Sequence, residues 1–425
     1  MRPIAGATTA LVLLTALNFV NYIDRYILPG VQEQVKGEFG LTDAQIGSLT
    51  LWFMVAYMAA SPVTGWLGDR FPRKPMIVAA ALFWSGINFF TASVHSYGSL
   101  NLRHAALGIG EASFGIFAPA VLADYYSPEQ RNRVLTIFNV AIPVGAALGY
   151  LVGGTVADHW NWRMAFIVSA VPGVLLALLI AFLMKEPSRG ASQSACQGKQ
   201  LGEAPTGKSD QNLLTTARQL LRNPAYVCSV LGYAAVTFSL GGISWWMPSF
   251  LHRAAGYSLS QAAYAMGAIT VVAGLGGTAV GGIVAQRWSH RTGKALYLVP
   301  AISAAIAVPP ALLCFFGSEW FGTQAFTLPG LGIAVFLIFL GTGPVNAATV
   351  NAVQPEIRAA ALAGQLLTIH LLGDAISPKI IGAISDRSNL NLGLGATLVT
   401  MLVAAAIFSV GARYAPKLEE TVATA

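Results

Sequence analysis

Residues 65–69 read GWLGD and close an apolar run that begins near residue 45. The same spacing, a glycine followed four positions later by an acid or amide, returns as GTVAD (154–158), GIVAQ (282–286) and GAISD (382–386). One such pentapeptide means little. Four of them, each at the end of every third apolar segment, mark a three-helix unit that is repeated along the chain.

Cutting the chain at its polar stretches leaves twelve mainly apolar segments. Most run ~20–26 residues, enough to cross a ~30 Å hydrocarbon core as helices. Their bounds are about 8–30, 45–68, 76–96, 98–122, 134–156, 163–184, 225–250, 259–286, 295–317, 326–350, 359–384 and 392–414. Only 10% of the residues are charged and 55% are hydrophobic, whereas a soluble globular chain carries about a quarter charged residues. A closed β-barrel would alternate at period two in strands of only ~10 residues. The reading is an all-α membrane protein. Its first segment, flanked only by Arg2 and lacking a small-x-small cleavage site, is expected to be a membrane helix rather than a removed leader.

The net charge of +7 is a topology signal, not a nucleic-acid footprint. With the N-terminus inside and segments alternating, the inner loops collect Arg2, Arg70, Arg73, Lys74, Arg131, Arg133, Lys185, Arg189, Lys199, Lys208, Arg218, Arg222, Arg287, Arg291, Lys294, Arg358, Arg413 and Lys417, which is 18 residues. The outer side receives Lys36, Arg163, Arg253 and Arg387, which is 4. Both termini are therefore expected in the cytoplasm. On that topology the four glycine–acid copies fall inside, outside, inside, outside, the pattern of inverted three-helix repeats nested in two parallel halves.

Residues 185–224, KEPSRGASQSACQGKQLGEAPTGKSDQNLLTTARQLLRNP, read as a polar linker ending in a short amphipathic helix from about Leu213 to Leu221. The chain thus divides into a six-helix bundle (1–184), the linker (185–224), and a second six-helix bundle with a short tail (225–425). Within the linker, GEAPTGKS (202–209) matches the phosphate-loop pattern. No strand precedes it, so no nucleotide site is expected. Cys196, Cys228 and Cys314 lack metal or disulfide spacing, and no nucleophile–base pair is evident. Neither an enzyme nor a cofactor or metal protein is indicated.

Few ionisable residues remain inside the segments: Asp24, Arg25, Arg103, His104, Glu111, His370, Asp374 and Lys379. Each costs at least ~2.5–3.5 kcal/mol at membrane depth, so the default reading is a transport pathway or coupling site. Lys379 lies near a helix end and can snorkel. At 1.5 Å per residue, Asp24 falls in the outer third of its helix, level with residues 103 and 104, and Glu111 lies one or two turns deeper. Asp24 and a base on the fourth helix can therefore pair, with Glu111 below them facing the same cavity. His104 and Glu111, seven apart, share a face; Arg103 is rotated by ~100°. His370 and Asp374 are i,i+4 neighbours. Carboxyl groups buried beside cations can exchange protons near neutrality. Trp245, Trp246 and Trp320 read as interfacial belt residues, with Trp245 also a candidate cavity contact.

The stretch GWLGDRFPRKPM (65–76) resembles the loop after the second helix of the major facilitator superfamily, although Pro72 stands where that family usually has Gly. The resemblance implies a gating role for Gly65, Asp69, Arg70, Arg73 and Lys74. NYIDRY (21–26), GIGEAS (108–113), EPSRG (186–190) and HLLGDAISPKIIGAISD (370–386) narrow it to the Spinster branch. That likeness implies a proton-coupled, alternating-access carrier for lysophospholipid or sphingoid-type amphiphiles. By position it implies proton coupling at Asp24 and Glu111, with Arg25, Arg103, His104, His370, Asp374 and Trp245 around the substrate. The branch normally has Arg seven residues before the fourth-helix Glu. Here that place holds His104, so either Arg103 reaches Glu111 through a helix distortion or His104 replaces it. An organic-anion symporter and a multidrug carrier are the alternatives. The protein is expected to act as a monomer in an inner membrane.

Overall fold

A computed structural model describes residues 5–188, 213–354 and 357–415. The phosphate-loop match and most of the linker, Cys196 included, lie outside the described residues. Among those described there is no strand. The helices are α1 (Ala7–Phe39), α2 (Asp43–Arg70), α3 (Arg73–Phe90), α4 (Tyr97–Tyr125), α5 (Pro128–Asn139), α6 (Ala141–His159), α7 (Trp162–Leu183), α8 (Leu213–Arg222), α9 (Pro224–Arg253) and α10 (Leu259–Ser289). They continue as α11 (Ala295–Phe321), α12 (Thr327–Leu340), α13 (Thr342–Asn351), α14 (Arg358–Ile369), α15 (Ser377–Arg387) and α16 (Leu390–Gly411). Among the described residues, twelve helical stretches are long and apolar enough to cross a membrane, as the sequence predicts.

Local chemistry sets the helix ends. Ser96 caps α4 in a reciprocal box with Ser99. Asn161, Asn223 and Asn389 accept the amides of Met164, Tyr226 and Leu392 at the starts of α7, α9 and α16, each satisfying an orphan donor of the first turn. Gly40, with φ +61°, closes α1 in the left-handed conformation that glycine tolerates. Helix α1 runs nine residues past the predicted end at residue 30. Its polar last turn is fastened from outside: Glu38 takes both terminal nitrogens of Arg163 at 2.7 Å and the indole N–H of Trp162 at 2.6 Å.

The chain forms two compact units. The first comprises Met1–Leu41, Leu49–Thr206 and Leu259–Gly267; the second comprises Thr42–Ser48, Gly207–Ser258 and Ala268–Ala425. In the first, Gly145, Gly149 and Gly153 form a stripe down α6. A Cβ at these positions would lie 2.9, 2.6 and 3.0 Å from the carbonyls of Phe19, Ile23 and Ile27 on α1. Lipid tails are as apolar as leucine, so helices in a bilayer associate through such close backbone packing rather than through hydrophobic burial. In the second unit, Gly232 admits the Phe408 ring between α9 and α16, and Gly330 lets α12 approach the carbonyl of Pro310.

Candidate functional site

Arg25 on α1 donates from Nε (3.0 Å) and Nη2 (2.7 Å) to one oxygen, Oε2, of Glu111 on α4. Its guanidinium carbon also lies 5.1, 5.0 and 5.6 Å from the ring centres of Tyr22, Phe53 and Tyr57. Cation–π contacts of this kind contribute ~0.5–2 kcal/mol and hold the planar cation in one orientation. The pair is asymmetric. The Glu111 side chain is 0% exposed and that of Arg25 is 22% exposed, so the acid is sealed and the base reaches accessible space. Glu111 Oε1 accepts no hydrogen bond.

Asp24, one residue earlier, is rotated by ~100° around the helix. Its carboxylate is fully buried, and neither oxygen has a hydrogen-bond partner. The polar groups around it are Ser169 on α7, Glu111, the Arg103 guanidinium and Asn88 on α3. Arg103 itself is committed elsewhere. It donates to Asn88 Oδ1 and, at 3.2 Å, to Nδ1 of His104, and it stacks over the Phe166 ring at 4.3 Å. A guanidinium cannot accept, so His104 Nδ1 must. The imidazole therefore carries its proton on Nε2.

This geometry corrects the sequence reading in three respects. Asp24 forms no ion pair with the fourth helix, because Arg103 is held by Asn88 and His104. Neither proposed partner, Arg103 or His104, bonds to Glu111; Arg25 occupies that carboxylate instead. Finally, Asp24 and Glu111 do not open onto a shared cavity, since they are 0% and 1% exposed. The sequence reading also missed Asn88, Ser169 and the aromatic surround of Arg25. Asn88 was visible as an amide inside a membrane segment. The rings were not distinguishable from ordinary lipid-facing aromatics.

In the second unit, His370 and Asp374 do meet, with Nδ1 3.0 and 3.1 Å from the two carboxylate oxygens. They do so across a π-helical turn (His370–Asp374) rather than a regular α-helix. Gly373 leaves helical geometry there (φ −106°, ψ −106°), and the Ala375 amide reaches back five residues to the His370 carbonyl. The Thr237 hydroxyl of α9 donates to the Ile369 carbonyl at 3.2 Å, satisfying an acceptor at the break. Such π-turns inside α-helices concentrate at functional positions. Nearby, Gln365 donates to Asn346 at 2.6 Å. Trp245 is 6% exposed, and Trp246 is fully buried with its indole N–H on the Pro378 carbonyl at 2.8 Å. Trp320, 54% exposed, keeps the character of a belt residue.

The loop between α2 and α3 is built by residues of the first unit. The Glu186 carboxylate accepts the amides of Arg73 (2.8 Å) and Lys74 (2.7 Å), capping α3. Arg73 pairs with Asp124 at 2.6 Å and donates to the Gly68 carbonyl at 3.3 Å. Arg70 lies 4.0 Å over the Trp66 ring. Asp69 is exposed, and a Cβ at Gly65 would meet nothing within 4 Å. The fourth copy of the motif is engaged. Within the second unit, Asp386 accepts the amides of Asp43 (2.7 Å) and Ala44 (2.9 Å), while Gly382 packs on the Asp43 carbonyl. Glycine clears the crossing, and the acid one turn later caps the helix that crosses.

The Major Facilitator Superfamily model matches residues 14–378. Protein spinster homolog 3 of Danio rerio is 33% identical over 398 residues, covering 89% of this chain and 76% of that protein. Protein spinster homolog 1 of Homo sapiens is 33% identical over 394 residues, with 89% and 73% covered. The sphingosine-1-phosphate transporter SPNS2 of Danio rerio is 32% identical over 396 residues, with 88% and 75% covered. Among solved structures, a bacterial homolog of the human lysosomal transporter Spinster superposes with a TM-score of 0.86 at 23% identity, covering 98% of both chains. A D-xylose–proton symporter gives 0.74 at 16% identity, with 98% and 99% covered.

Proposed function

The chain belongs to the Major Facilitator Superfamily and, within it, to the Spinster proteins, and from that premise we propose that it is a proton-coupled carrier of lysophospholipid or sphingoid-type amphiphiles working by alternating access. The observation that carries the coupling is the one-sided Arg25–Glu111 pair. A proton on Glu111 cancels the charge that holds the guanidinium. Arg25, already facing accessible space and oriented by Tyr22, Phe53 and Tyr57, then becomes available to an anionic headgroup. When the headgroup departs, Arg25 returns and Glu111 gives up its proton. Acid and substrate thus compete for one cation, which links proton movement to substrate movement. The amphiphile class is supported by the relative named as a sphingosine-1-phosphate transporter.

In this reading the halves 1–184 and 225–425 rock about the linker, both termini are cytoplasmic, and the protein works as a monomer in an inner membrane. His370 and Asp374 form a second polar station for the substrate, with Trp245 beside it. Asp24 and Arg103 act through the scaffold that carries Arg25, and Gly65, Asp69, Arg70, Arg73 and Lys74 form the inner gate.

The test is reconstitution into proteoliposomes, with uptake of a lysophospholipid, a sphingoid phosphate, a sugar acid and a cationic dye measured with and without a pH gradient. Gradient-driven movement of the first two supports the proposal. Movement of the sugar acid alone would convert the protein into an organic-anion symporter, and movement of the dye alone into a multidrug carrier.

A further inference from the structure

A cavity of about 810 Å³ opens between α10 and α12 of the second unit, lined by Ala268, Val272, Gly276, Gly332, Ile333 and Phe336 among others. Its walls are wholly apolar side chains and glycines, and its size falls in the ~300–1,000 Å³ range of small-ligand sites. The two helices cause it by diverging. At Gly277 and Gly281 they touch, since a Cβ at either position would collide with the carbonyl of Phe336 or Leu340. Toward residue 268 they splay apart. A Cβ at Gly276 would already have 3.5 Å to the Phe336 ring, and one at Gly332 would meet nothing within 4 Å. The gap is therefore wedge-shaped, pinned at one end and open at the other, where Val272 and Ile333 are 74% and 53% exposed.

Both helices belong to membrane spans, Leu259–Ser289 and Thr327–Asn351, and the lining residues lie well inside them. Water at that depth would find no polar partner in the wedge. Hydrocarbon is what the surroundings supply. From residue 268 to residue 276 the wedge extends ~12 Å along α10, close to the ~15 Å depth of one leaflet of a ~30 Å core. We propose that this wedge is a binding site for one acyl chain of a bilayer phospholipid, seated between α10 and α12 and apart from the Arg25–Glu111 site. A resident chain would fill the gap that the diverging helices leave and keep them from closing on each other.

The test uses the full-length protein in liposomes containing a phosphatidylethanolamine with a diazirine on its acyl chain. After photolysis, labelled peptides are mapped by mass spectrometry. Peptides covering 268–276 and 332–337 should carry several-fold more label than the outer face of α7, where Leu175 and Phe182 are exposed at 55% and 82% and serve as the measure of casual lipid contact. Gly332→Leu, which fills the wedge without striking backbone and replaces a poor helix former by a good one, should remove that excess. Val272→Trp, which closes the mouth, should do the same, so a folding failure in one variant leaves the other to decide. Label no denser than on α7, or unchanged in a folded variant, overturns the site. Excess label that an added lysophospholipid displaces would assign the wedge to a transported amphiphile and overturn the bilayer-lipid assignment.

Discussion

Arg25 gives both of its hydrogen bonds to a single oxygen of Glu111, and the other oxygen, Oε1, stays buried without one. An ion pair built this way has room for a proton on the acid without any movement of the chain. Glu111→Gln should therefore fold and still exchange substrate across a membrane at equal pH. Accumulation driven by a pH gradient should vanish. Gradient-driven uptake at the wild-type rate in proteoliposomes would remove Glu111 from the coupling step.

Arg25→Lys keeps the charge but loses the planar fork and the Nε donor. Losing one charge-assisted hydrogen bond is worth ~1.5 kcal/mol, or roughly tenfold in kcat/KM for an anionic amphiphile. Initial rates against substrate concentration would check this. A variant indistinguishable from wild type would mean that the guanidinium does not meet the headgroup.

The positive charge of Arg103 acts on the sealed carboxylate of Asp24. Arg103→Leu removes that positive charge from beside a fully buried carboxylate and strands Asn88 Oδ1 without its donor, and a buried acceptor left unpaired costs about 1–3 kcal/mol. The thermal midpoint of the purified protein in detergent should fall steeply, and Asp24→Asn added to the same chain should restore much of the loss. Equal midpoints for the single and double variants would show that the two groups do not sense each other.

Gly149 sits where α6 crosses α1, and a Cβ there would lie 2.6 Å from the Ile23 carbonyl and 2.8 Å from Tyr26 Cβ. Gly149→Val should cost about 1–3 kcal/mol through overpacking and lower the thermal midpoint. Gly86→Ala, at a helix position with nothing within 4 Å of the added carbon, should leave it unchanged or slightly raised. The contrast between the two is the informative quantity.

The frame of the protein is legible in the sequence, because lipid imposes length and polarity rules so strict that twelve apolar segments can be counted directly. The repeat of glycine and acid four apart was legible too, and the GAISD copy shows what the spacing does on one helix face. Partner choice inside the bilayer was less legible. Helical wheels placed Asp24 level with residues 103 and 104, which was enough to predict proximity. They could not reveal that Asn88, on a third helix, competes for Arg103, or that Arg25 turns the other way into Tyr22, Phe53 and Tyr57. Spacing along one helix fixes which residues share a face, but a hydrogen bond across three helices depends on their rotations. The same limit explains the π-turn at His370–Asp374. His370 and Asp374 were visible as a polar pair, but the π-turn between them, and the hydroxyl that Thr237 of another helix donates to the Ile369 carbonyl at the break, were not.

Glu186 holds the first turn of α3 through the amides of Arg73 and Lys74, more than a hundred residues ahead of it in the chain. A version of this transporter expressed as two separate polypeptides must therefore be divided downstream of that glutamate. A division one residue earlier would hand the clasp of the α2–α3 loop to the wrong fragment.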